Sequence, residues 1–96
     1  MPQYLIHAYD GTDETAIDRR MAARPMHLAG AKKLKDTGNF IIGGAILSDE
    51  GKMIGSVMIL DFETQADFDQ WYQTEPYITN GIWQTIEVKP FRVATV

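Results

Sequence analysis

The chain has 96 residues, 45% hydrophobic and 23% charged, with 13 acidic against 9 basic side chains and no cysteine. This length suits one domain spanning the whole chain, with a small core, and the net charge of −4 argues against nucleic acid, whose phosphates need a basic face. Disulfides, thiol chemistry and cysteine-based zinc sites are excluded, no run approaches the ~20 apolar residues of a membrane span, and the expected location is the cytoplasm.

Tyr4 to Tyr9 is rich in β-formers and stops at the turn signal Asp10-Gly11, which predicts a first strand. From Asp13 to Lys35, Ile17, Met21, Leu28, Ala31 and Leu34 recur at helical spacing, and Gly38 supplies a helix stop. Phe40 to Leu47 and Met53 to Phe62 read as a hairpin closed by a loop containing Gly51. Thr64 opens a second helix with Asp67 at the third position of a capping box, and Phe68, Trp71 and Tyr72 form its inner face. Pro76 ends that helix, a turn follows, and Ile82 to Val93 is the last strand.

The order β-α-β-β-α-β predicts an α+β, ferredoxin-like fold: an antiparallel four-stranded sheet with two helices on one face. Val57 to Leu60 and Phe40 to Ile42 are apolar on both faces of their strands, and in the last strand Trp83 falls opposite Ile82, Ile86 and Val88 by alternation. Two helices cover one face only. A second copy packed sheet against sheet would cover the other, so a homodimer is expected.

An unbroken helix from Asp13 to Asp36 would overhang the first strand, and proline breaks a helix interior. The expectation is therefore a bend at Pro25, with the packing piece running from there to Lys35 and His27 in its first turn. That arrangement lets Asp10, at the end of the first strand, meet His27. A carboxylate fixes the tautomer of an imidazole and suits it to general acid–base work. The plainer reading of a lone histidine is a solvated or capping group.

Asp36 stands nine residues from His27, on the opposite side of a straight helix, and reads as a helix-end residue. His7, on the face opposite Asp10, reads as buried and hydrogen-bonded. No HxH or HxxxH spacing supports a metal site. Ser56, after Gly55 in a strand neighbouring the first, can hold a substrate oxygen. Gly43-Gly44 reads as a bulge or close backbone approach rather than a phosphate loop, and Arg19-Arg20 as a solvated helix face.

Arg24-Pro25-Met26-His27-Leu28, Gly55-Ser56, Glu75-Pro76-Tyr77 and Val88-Lys89-Pro90-Phe91, following a first strand that ends in Asp10, together resemble the YCII-related family over essentially the whole chain. Glu75 departs from the Asp that the family usually has before Pro-Tyr. The resemblance implies a subunit that dimerises as an α+β barrel and a His–Asp pair in a pocket, which the motif match puts on His27 and Asp10. It also implies a likeness in architecture to muconolactone isomerases, and a relative that dehydrochlorinates a hydroxylated aromatic ring. The function expected is a lyase or isomerase without cofactor, acting on a small cyclic or aromatic acid. In this reading His27 and Asp10 are catalytic, while Arg24, Ser56 and Tyr77 bind a small-molecule ligand near His27. A binding or regulatory domain with the same pocket is the alternative.

Overall fold

In the computed structural model, which describes residues 2–96, the strands β1 (Gln3–Asp10), β2 (Phe40–Leu47), β3 (Met53–Asp61) and β4 (Trp83–Phe91) form one sheet in the order β2-β3-β1-β4. All neighbouring pairs are antiparallel. The helices are α1 (Ala16–Asp36), α2 (Gln65–Thr74) and a single turn, α3 (Pro76–Thr79). This is the ferredoxin-like arrangement that the element order implies.

Strict alternation along β1 explains the layering. Tyr4, Ile6, Ala8 and Asp10 are buried under the helices, while Leu5, His7 and Tyr9 look the other way. β3 does the same with Ser56, Met58 and Leu60. Ile6 and Leu60 are fully buried, and each such side chain contributes about 1.5–3 kcal/mol relative to exposure. α2 packs through Phe68 and Trp71, and the Phe68 ring stacks 4.1 Å from that of Tyr4. Its Thr64 cap receives the Asp67 N–H at 3.2 Å, as the capping pattern predicts.

The expected bend at Pro25 is not present as a break: α1 is one helix of 21 residues with Pro25 inside it. Pro25 is solvent-exposed, and so is Met21, whose carbonyl the missing N–H would have bonded; water can serve that carbonyl. A helix of this length spans about 31 Å against about 26 Å for an eight-residue strand, so the overhang is only about one turn. Asp13 takes up the loose start. It accepts from both Nη atoms of Arg19 at 2.7 Å and from the Thr15 hydroxyl at 3.0 Å, and these hydrogen bonds, those of Arg19 first, hold its carboxyl well below the usual carboxylate range. Asp36 does end the helix, and Gly38 takes φ +79° just beyond it.

The buried stripe of α1 is Ala16, Arg20, Ala23 and His27, whereas Met21 and Leu28 are each 46% exposed. The helix is thus rotated from the face that the apolar spacing suggests. Small alanines let it lie close to the sheet, while Arg20 reaches across to β1 and β3 and His27 turns toward α3.

Of the three register shifts in the sheet, two shape the site. β4 loses register between Thr85 and Trp83, opposite Tyr9 and Asp10, so Trp83 turns to the helix side together with Ile86 instead of away from it. β2 shifts at Ile41, after which Gly43 passes so close to the Phe40 ring that a Cβ would sit 2.9 Å from it. A Cβ on Gly55 would collide with the Ala8 carbonyl oxygen, so only glycine lets Ser56 stand where it does.

The face away from the helices carries Leu5, Val57 and Ile59, all half-buried, with Ile42 62% and Tyr9 42% exposed. His7 belongs to this face; it is half-buried, lies 5.1 Å from the Tyr9 ring, and makes no side-chain hydrogen bond among the described residues. Alternation thus puts it on the predicted face, but the burial and hydrogen bond expected of it are missing in the single chain.

Candidate active site

Between α1, α3 and the β2-β3 half of the sheet lies a cavity of about 100 Å³. His27, Arg20, Arg24, Ser56 and Tyr77 line it, with Met58 and Gly43 among the apolar wall. The three residues expected to bind a ligand and the expected proton carrier therefore share one cavity.

α1 delivers three of these side chains. Residues seven apart on a helix differ by only about 20° in azimuth, so Arg20 and His27 point the same way, and Arg24 is one turn behind His27. Tyr77 comes from α3. Glu75 both caps α2, donating its N–H to the Trp71 carbonyl, and opens α3. Its extended backbone, with ψ 121°, is what a residue before proline adopts.

His27 does not pair with Asp10. Its Nδ1 lies 2.5 Å from Glu75 Oε1, in a pair whose side chains are 11% and 2% exposed. The same oxygen accepts the Tyr77 N–H at 3.1 Å, which fixes the carboxylate. A carboxylate can only accept, so Nδ1 carries the hydrogen, and in the neutral tautomer so fixed the lone pair is on Nε2. The imidazole stacks on the Tyr77 ring at 3.9 Å and 10°. The reason for the correction is the continuous helix: His27 sits in the middle of α1, alongside α3, not at a helix start beside the end of β1.

Asp10 instead holds Arg20. Both carboxylate oxygens accept from Nη1, at 3.0 and 3.1 Å, and both side chains are buried. Arg20 Nη2 donates to Ser56 Oγ at 2.9 Å, and Trp83 Nε1 donates to the same oxygen at 3.3 Å. The Arg20 guanidinium also lies over the Tyr77 ring, 4.8 Å from its centroid. Arg20 is thus a buried organiser, not the solvated charge that its place in a basic pair suggests.

Tyr77 is fully buried, and its hydroxyl has no hydrogen-bond partner among the described residues. Burial pushes its pKa up, with Arg20 and Arg24 opposing, so the phenol keeps its proton. Arg24 is half-buried and forms no ion pair among the described residues. Arg20, Glu75 and Trp83 are site residues that sequence reasoning misses. The seven-residue step from His27 points to Arg20, and Glu75 stands in the motif before Pro-Tyr. Trp83 depends on the bulge.

Comparison with known proteins places the chain. It is 32% identical to the protein YciI of Escherichia coli over 95 residues, covering 93% of this chain and 95% of that one. Its fold is similar to that of 5-chloro-2-hydroxyhydroquinone dehydrochlorinase from Burkholderia phenoliruptrix, solved in complex with 2,5-dihydroxybenzoquinone: the TM-score is 0.79 at 22% identity, over 96% and 95% of the two chains. A dimeric ferredoxin-like protein of unknown function from Jannaschia also matches, with a TM-score of 0.58 at 17% identity over 97% and 100%. Residues 2–92 match the family model of the YCII-related domain, and the chain belongs to that family.

Proposed function

We propose that this protein is an acid–base enzyme, a lyase or isomerase working without a cofactor on a small cyclic or aromatic acid or a comparably oxygenated ring. The observation that carries the reading is the His27–Glu75 hydrogen bond at the wall of the cavity. Glu75 orients the ring and offsets the charge of the imidazolium, leaving Nε2 as the base. The fold likeness to a dehydrochlorinase adds support.

In an elimination, the ring takes its keto form by gaining a proton at the carbon that bears the leaving group. Nε2 then removes a ring hydroxyl proton, the electron pair of the oxyanion left behind re-forms a carbonyl and, passed along the ring, expels the leaving group, and His27 returns the proton to solvent. In an isomerisation it returns the proton to another ring atom. Arg24, Ser56 and Tyr77 bind the ring oxygens. Asp10 contributes indirectly, by holding Arg20 against Ser56.

Chloride release from 5-chloro-2-hydroxyhydroquinone tests this. The wild type is expected to accelerate release, and His27→Gln to lower the rate by about 10²–10⁴-fold, the usual worth of a positioned proton carrier. Equal rates for both proteins, over a panel of chlorinated and hydroxylated rings, would favour a binding domain.

The same reading makes the protein a homodimer, closed through the open sheet face of Leu5, Val57 and Ile59. Sedimentation at micromolar concentration should give about twice the chain mass. A monomer would overturn this part of the reading and leave the pocket chemistry standing.

A further inference from the structure

We propose that the cavity recognises its ligand as an oxyanion, a ring enolate or phenolate, held by the hydroxyl protons of Ser56 and Tyr77 with Arg24 supplying the positive charge. The balance of donors and acceptors in the cavity points this way. Ser56 Oγ has two lone pairs and one proton, and both lone pairs are taken, by Arg20 Nη2 and Trp83 Nε1. Its proton therefore has to go outward, and no acceptor among the described residues receives it. The Tyr77 hydroxyl is buried with no partner among those residues.

Buried polar groups without partners are costly and rare in a native structure. Here two hydroxyls in one cavity lack acceptors, beside a half-buried arginine without an ion pair. Arg20 Nε is a third buried donor without a partner. His27, which also lines the cavity, is the proposed base. A neutral phenol would bring a further proton to a site that already has donors in excess. An oxyanion brings lone pairs and no proton, which is what the site lacks.

The inference rests on the acid–base reading of the same cavity, because the anion recognised is the one that proton removal at His27 leaves behind.

Para-nitrophenol serves as the probe, since its phenolate is yellow and its own titration reports which form is bound. With the protein in excess, the pKa of the bound probe is expected to fall by about one unit or more, a tenfold preference for the anion. Tyr77→Phe and Ser56→Ala should each weaken phenolate binding by about tenfold, as expected for a hydrogen bond to a charged group. Tyr77→Phe removes a hydroxyl that bonds nothing, so its thermal midpoint should equal or exceed that of the wild type, which separates lost recognition from lost folding. A bound probe with an unchanged or raised pKa, no binding at millimolar concentration, or a Tyr77→Phe protein with the full shift would overturn the proposal. His27→Gln should keep the shift. If it does while the wild type releases no chloride from any ring, the acid–base reading fails and oxyanion recognition stands. If the wild type releases chloride yet binds the probe as neutral phenol, oxyanion recognition fails and the acid–base reading stands.

Discussion

Asp10→Ala is expected to cost about 3–5 kcal/mol of folding stability, seen as a large fall in the urea midpoint, because it leaves the Arg20 guanidinium buried without a counter-charge. Both partners are almost inaccessible to water, so neither solvent nor salt can replace the missing carboxylate. The loss is a large share of what a domain of this size has to spare. The double variant Asp10→Leu, Arg20→Met tests the cause. Removing both charges removes the desolvation problem, so the double variant should recover most of the stability that the single one loses. A single variant within about 1 kcal/mol of wild type would mean that Arg20 finds water or another partner.

Glu75→Gln is expected to leave the fold intact and to lower turnover by about 10²–10⁴-fold, comparable with loss of the proton carrier itself. The glutamine oxygen can still accept from the Tyr77 N–H and the His27 Nδ1–H, which preserves the geometry. What disappears is the negative charge that offsets the imidazolium at the moment His27 takes a proton. Substrate affinity should change little, so the effect belongs in kcat and not in KM. Glu75→Asp keeps the charge on a shorter arm and should recover part of the rate. If Glu75→Gln matched the wild type in kcat, the carboxylate would be a cap for α3 and nothing more.

How much of the fold and the site is legible in the sequence depends on which interaction sets each feature. Strand positions, the Thr64–Asp67 cap and the Gly38 stop are readable because they depend on neighbours in the chain. Arg24, His27, Ser56 and Tyr77 stand out as motifs, and they do line one cavity. The partner of His27 is not readable locally, since it hangs on whether Pro25 breaks α1. An exposed proline whose freed carbonyl faces water costs less than the packing that a straight helix keeps. Helical periodicity misplaces the inner face of α1 for a related reason. Hydropathy counts Arg20 and His27 as surface residues, yet inside the fold Arg20 meets Asp10 and His27 meets Glu75. Alternation puts Trp83 on the wrong face because one displaced residue reverses the pattern, and nothing local in Gln84 announces it.

The turn of Trp83 toward the helices gives the protein an optical reporter of its own. Its indole donates to Ser56 and stands edge-on to His27, 6.1 Å between ring centres, whereas Trp71 is packed among Phe62, Phe68 and Tyr72 well inside the α2 layer. One fluorophore therefore senses the cavity and the other senses folding. A protonated imidazole quenches a neighbouring indole and a neutral one much less, so emission from Trp83 follows the charge state of His27. With Trp71 replaced by phenylalanine, that emission would report proton uptake and ligand entry in the unlabelled protein, without a substrate being known.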